Sequence, residues 1–226
     1  MIFRTLAIAA PSPAAQRAFY EEVLELPITS ASEHEVSIQV GESEVVFRQA
    51  LPGTAPSYHF AFRIPGNQSA EAKRWLAERS QLLRRQGKDE FGWDFWSASA
   101  VYTRDPAGNI VELIAFRGLA EAGGEPFTSA FLLGLAEVGL PVRDVHAAVA
   151  ELGEAFQIGL WDRASIVPGG ITPIGERGAS FIVVPLGHRW FLGCRSGNYP
   201  LEIVLGGVKD DELRLPGHPV HIFGQS

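Results

Sequence analysis

Three ionisable residues sit in stretches where a hydrophobe would pack better: His59 in YHFAF, Glu112 in IVELI and Glu137 in GLAEVGL. A carboxylate taken out of water is costly unless something pairs with it. Two carboxylates brought together repel, and one then keeps its proton. A divalent cation removes both penalties. One imidazole and two carboxylates suit Mn²⁺, Fe²⁺, Co²⁺, Ni²⁺ or Zn²⁺, with open positions for water or substrate. Spacing alone leaves a second reading open, in which His59 hydrogen-bonds a backbone carbonyl and the glutamates face solvent or pair with arginines.

The elements that must position these residues follow from pattern. Residues 102–116, YTRDPAGNIVELIAF, read as two strands joined by a tight turn. Asp105 can bond back to the following backbone, Pro106 presets φ, and Gly108 supplies a positive φ. Beyond the turn Val111, Leu113 and Ala115 point one way, and Ile110, Glu112, Ile114 and Phe116 the other. Both faces are apolar, so the strand is expected to be covered on both sides. In residues 58–64, His59, Ala61 and Arg63 share one strand face, and Phe60, Phe62 and Ile64 the other.

Upstream, residues 3–10 read as a strand. Ser12 is an N-cap with Pro13 at the first helical position, and Ala15, Phe19, Val23 and Leu26 form a stripe that ends at Pro27. Strands are expected at 35–40 and 43–49, a helix over 69–84, and an aromatic loop over 88–98 containing Trp93, Phe95 and Trp96. Residues 119–130 shift in composition and read as a linker between units at 1–118 and 131–226. The opening pattern then returns. At an offset of 132, Leu140 falls on Ile8, Asp144 on Ser12 and Ala147 on Ala15, as an internal repeat would have it. The remainder is β-rich, with strands expected near 163–167, 180–185, 189–194 and 200–205. No second helix appears, so the second unit reads as a reduced copy. His218 and His221 lie in a C-terminal tail, and Trp161 and Trp190 read as core.

The chain has 226 residues, 46% hydrophobic and 20% charged, which is ample for a full core. A net charge of −7 without a Lys/Arg stripe argues against nucleic acid and anionic membrane as partners. The N-terminal apolar run is too short for a signal peptide, and no run reaches the length of a membrane span. The single cysteine, Cys194, excludes an intrachain disulfide and fits a cytoplasmic location.

Four segments in this order, SPAAQRAFYEEVLELP, YHFAFRIP, DPAGNIVELIAF and EVGLPVRDVHAAVAEL, resemble the vicinal oxygen chelate superfamily. Its members include glyoxalase I, fosfomycin-resistance thiol transferases, methylmalonyl-CoA epimerase, extradiol dioxygenases and bleomycin-resistance proteins. The resemblance implies an α+β fold of two paired βαβββ modules, the second reduced here, curling into cups. It implies one cross-module site for one divalent metal, with His59 and Glu112 from one module and Glu137 from the first strand of the other. Arg63, Trp96 and Tyr102 are candidates for the substrate pocket. The implied activity is metal-dependent handling of a small molecule that chelates through neighbouring oxygens, by isomerisation, epimerisation, addition or ring cleavage. The alternative is metal-free ligand sequestration of the bleomycin-resistance type. The chain would act as a monomer with internal module pairing or as a homodimer.

Two departures stand out. Glu137 occupies a position where many members have His, which hardens the donor set and favours Lewis-acid chemistry over O₂ activation. In the second cup Thr5 replaces a ligand, and Glu202 has no evident histidine beside it, so that cup is expected to be structural.

Overall fold

The computed structural model describes residues 1–119, 123–124, 126–162, 164–191 and 193–226. The chain runs through four groups of elements. The first is β1 (Ile2–Ala10), α1 (Pro13–Ala18), β2 (Ile28–Ala31), β3 (Glu35–Val40) and β4 (Ser43–Gln49). The second is β5 (His59–Ile64), α2 (Ser69–Arg79), β6 (Phe91–Trp93), β7 (Ala98–Arg104) and β8 (Ile110–Phe116). The third is β9 (Gly134–Val142), α3 (Val145–Phe156), β10 (Thr172–Glu176) and β11 (Ala179–Pro185). The fourth is β12 (Leu201–Gly206), β13 (Asp211–Arg214) and β14 (Val220–Gln225), with no helix among its described residues.

One pairing rule repeats in every group. The first strand runs parallel to the last: β1 with β4, β5 with β8, β9 with β11, and β12 with β14. Groups then join through their first strands, antiparallel. β1 pairs β12, and β5 pairs β9. Each half of the chain therefore lends one group to each of two cups.

The internal repeat is visible at atomic detail. β1 and β9 have the same length and the same 132-residue offset. Ser12 Oγ accepts from Ala15 N, and Asp144 Oδ1 accepts from Ala147 N, both at 3.1 Å. Each cap satisfies an amide that the first helical turn leaves unpaired, worth about 1 kcal/mol.

The two faces of β8 divide the interior. Val111, Leu113 and Ala115 join the main core with Phe60, Phe62 and Trp75. Ile110, Ile114 and Phe116 join a smaller cluster on the concave side with Ala61, Ala136, Ile182 and Trp190. All seven residues of β8 are buried, so Glu112 sits in an otherwise apolar strand. Burying each Phe contributes about 1.5–3 kcal/mol, and Phe62→Ala would cost about 3–5 kcal/mol.

Several expectations need correction. The buried residues after Ser12 include Gln16, Tyr20, Leu24 and, as expected, Leu26, whereas Ala15, Phe19 and Val23 are only half-buried. The reason is polar: Gln16 Nε2 and Tyr20 OH both donate to the buried Asp105 carboxylate. The helix also widens to a π turn over Phe19–Val23. α2 stops at Arg79, because Ser80 is extended and Leu83 N then donates to Tyr102 O beside β7. Residues 91–93 form a short strand where a loop was expected. No strand forms among the described residues of 163–167, position 163 itself lying outside them; the hairpin is β10–β11, turned at Gly178 with φ +85°. Residues 189–194, of which 192 is not described, make a compact turn with Gly193 N donating to Trp190 O and Trp190 N to Cys194 O. The C-terminal tail is a strand, because Val220 and Ile222 alternate into the core. In the expected linker, 120–122 and 125 lie outside the described residues, and Phe127 packs on Trp75 at 5.4 Å.

Candidate metal centre

The cup formed by the second and third groups brings His59, Glu112 and Glu137 together. His59 opens β5, Glu112 is the third residue of β8, and Glu137 is the fourth of β9. Ala61 pairs with both Glu112 and Glu137 across its two neighbouring strands, so the carboxylates flank one strand and the imidazole projects between them. His59 Nε2 lies 3.5 Å from Glu112 Oε2 and 3.9 Å from Glu137 Oε2. One donor atom from each residue falls within 4.8 Å of the others.

These contacts are not ion pairs in the metal-free protein. Burial pushes the imidazole down to about 4, with the Ile110 carbonyl opposing only in part. Burial lifts Glu137 to about 8. Glu112 is also well above the usual carboxylate range, first through burial and then through the charge of Glu137, while Tyr102 opposes. A neutral imidazole thus faces carboxyl groups that burial pushes towards their protonated forms. His59 is 9% exposed, Glu112 2% and Glu137 5%, and among the described residues no Lys or Arg pairs with either carboxylate.

The donor set fits a cation. His59 Nδ1 lies 3.3 Å from Ile110 O, so the Nδ1–H tautomer bonds that carbonyl and leaves the Nε2 lone pair facing the carboxylates. Tyr102 OH donates to Glu112 Oε1 at 2.9 Å, leaving Oε2 free, and Trp93 Nε1 donates to the Tyr102 oxygen at 3.1 Å. The backbone contact expected of a purely structural His59 is thus present, and it also suits a ligand. The arginine partners expected of structural glutamates are absent among the described residues.

Around the triad the cup encloses about 80 Å³, with an aromatic wall of Trp93, Trp96, Tyr102, Trp190 and Phe191 and a floor and rim of isoleucines. Of the expected pocket residues, Trp96 and Tyr102 line it and Arg63 does not. Arg63 bonds Glu42 Oε1 and Gly178 O. Trp96 stacks on Trp161 at 4.5 Å, joining the two halves of the chain at the mouth. Sequence reasoning missed Trp190 and Phe191 as wall residues, because the loop that carries them has no strand or helix periodicity.

The opposite cup is neutralised. Arg48 Nη1 and Nη2 bond the Glu202 oxygens at 3.2 and 3.3 Å, and its Nε bonds Glu35 at 2.9 Å. A histidine does neighbour Glu202, contrary to expectation: His221 is its partner in the β12–β14 register, but its Nε2 lies 2.7 Å from Glu212 Oε1. Among the described residues no second group of three donors converges.

No protein-family model and no curated protein matches the sequence. Solved structures do match. A single-substitution variant of glyoxalase I from Zea mays aligns over 99% of this chain and 93% of its own, at 13% identity and a TM-score of 0.59. The glyoxalase I from the same source gives 0.56 at 12% identity, over 99% and 92%. A candidate dioxygenase from Bacillus subtilis subsp. subtilis str. 168 gives 0.57 at 14% identity, over 91% and 70%. These likenesses span both halves of the chain, and with the repeated parallel and antiparallel pairings they show that it has the paired-module fold of the vicinal oxygen chelate superfamily.

Proposed function

We propose that this protein is a metal-dependent enzyme acting on a small molecule that chelates through two neighbouring oxygens. The observation that carries the reading is the contrast between the two cups. Where the carboxylate is structural, as at Glu202, whose side chain is 40% exposed, the chain supplies Arg48. At Glu112 and Glu137 it supplies no cation among the described residues, only a histidine with a free lone pair. Two buried carboxylates left so are costly, and a divalent ion offsets that cost while they become its ligands.

In this reading His59, Glu112 and Glu137 hold one ion of Mn, Fe, Co, Ni or Zn. The bound ion supplies Lewis acidity towards the substrate oxygens. The chain's own residues do the rest. Tyr102 fixes the orientation of Glu112. The aromatic wall excludes water and holds the apolar part of the substrate. Two glutamates to one histidine make a hard, anionic donor set, which suits proton-transfer and addition chemistry better than O₂ activation. The modules are 1–118 and 131–226, joined by 119–130. One copy of the chain completes the cup, so a monomer suffices, in the reducing cytoplasm that a lone thiol tolerates.

Elemental analysis of protein purified without chelator tests this. About one equivalent of metal is expected, lost in His59→Ala. Metal-free protein that neither takes up ions nor differs from His59→Ala would overturn it, and tight binding of a ligand by such protein would favour sequestration.

A further inference from the structure

Beside the cup lies a second hollow of about 350 Å³, lined by Arg84, Arg85 and Arg189 with Trp190, Phe191 and Gly193. Trp190 and Phe191 line both spaces, so two aromatic rings form the partition between them. We infer that this hollow is an anion-binding subsite, taking the phosphate or carboxylate end of a ligand whose oxygenated end sits in the cup. The link to the cup rests on the proposed function; the anion site itself does not.

Charge argues first. The chain carries −7 overall, yet among the described residues three arginines and no carboxylate line this hollow. Only Arg84 has an acidic partner among the described residues, Asp89 at 3.2 Å, and that carboxylate also binds Lys73 at 2.6 Å. Arg85 lies over the Phe191 ring at 4.7 Å, which orients its guanidinium without neutralising it. The cup has the opposite character, with two carboxylates and, among the described residues, no Lys or Arg in its lining. An anionic group would be drawn to the arginines.

The backbone is built to hold the arginines in place. Arg85 and Lys88 exchange both backbone hydrogen bonds around Gln86–Gly87, both at positive φ. Arg189 is bridged to Arg195, and the turn after it is closed by Trp190 and Gly193. Two short turns from opposite halves of the chain thus present their arginines to one space, and guanidinium forks match phosphate and carboxylate oxygens bidentately.

The test is titration with inorganic phosphate, followed by tryptophan fluorescence at low salt, on metal-loaded wild type, His59→Ala and the Arg85→Gln/Arg189→Gln double variant. Wild type and His59→Ala should both saturate, and the double variant should bind at least about tenfold more weakly while melting at the wild-type temperature. No saturable binding, or equal binding by the double variant, overturns the subsite whatever the fate of the metal. Dihydroxyacetone phosphate and dihydroxyacetone then separate a substrate-borne group from free phosphate. The phosphorylated compound should bind metal-loaded wild type at least about tenfold tighter, with the gain lost in the double variant. Equal affinities would overturn the assignment to substrate.

Discussion

Tyr102 and Glu112 stand directly opposite each other on β7 and β8, and the tyrosine hydroxyl donates to Glu112 Oε1 at 2.9 Å. Burial, followed by the charges of Glu112 and Glu137, drives the phenol well above its ordinary range, so it remains a donor at neutral pH. Its role is to hold one carboxylate oxygen and so aim the other at His59 Nε2. Tyr102→Phe should weaken metal binding by roughly 10–100-fold, as other partners of ligating carboxylates do. Competition against a chelator measures this, and an unchanged affinity would remove Tyr102 from the site.

The metal-free protein should lose stability as pH rises past neutrality. Glu137 sits at about 8 when folded, against an ordinary value of 4.5. Between those values the folded state carries more protons than the unfolded, so unfolding becomes easier as pH increases. Glu112 acts in the same direction. His59 acts oppositely, since its folded value of about 4 lies below 6.5 and its contribution rises with pH between them. Above 6.5 only the carboxyl contribution remains. Melting in chelator should therefore fall from about pH 6.5 to 8, and added divalent metal should flatten the profile. A chelator-treated profile that rises over this range would contradict the assignment of the buried carboxyls.

Asp105 ties the turn before β8 to the first helix. Its carboxylate accepts from Gln16 Nε2 and Asn109 Nδ2 at 2.7 Å, from Tyr20 OH at 3.2 Å, and from the amides of Ala107 and Asn109 at 3.0 Å. It is 5% exposed, so its removal strands several buried donors. Asp105→Ala should cost about 3–5 kcal/mol in urea unfolding. A loss under about 1 kcal/mol would mean that water replaces the carboxylate.

Much of the site was legible because a turn fixes register. The Asp105–Asn109 turn is centred on Ala107, so Tyr102 and Glu112, each five residues away, must pair once the hairpin forms. The period-two alternation likewise separated Val111 and Leu113 from Glu112, and the core follows that division. The Ser12 and Asp144 caps announced the repeat. What the pattern could not carry was long-range and polar. Gln16 and Tyr20 are buried by a carboxylate 85 residues or more away, which rotates the first helix against its apolar stripe. Trp190 and Phe191 sit on a turn whose place is set by tertiary contacts with Phe91 and Trp93. Arg63 shares the His59 strand face, but Glu42 and Gly178 hold its far end away from the cup.

Gly139 on β9 lies against Trp190 of its own half of the chain and His59 of the other. A Cβ there would meet the Trp190 ring at 2.9 Å and the His59 carbonyl at 3.0 Å. The backbone of β5 is fixed by two ladders, so the indole must give way. Gly139→Ala should push Trp190 out of the wall, costing about 1–3 kcal/mol by overpacking and shifting tryptophan emission to the red as the ring meets water. Trimming the indole in the same chain, as Gly139→Ala/Trp190→Leu, should restore most of that stability, since the clash and the ring are removed together. Additive losses in the double variant would mean that Trp190 and Gly139 do not press on each other, and that the wall is held by something other than this contact.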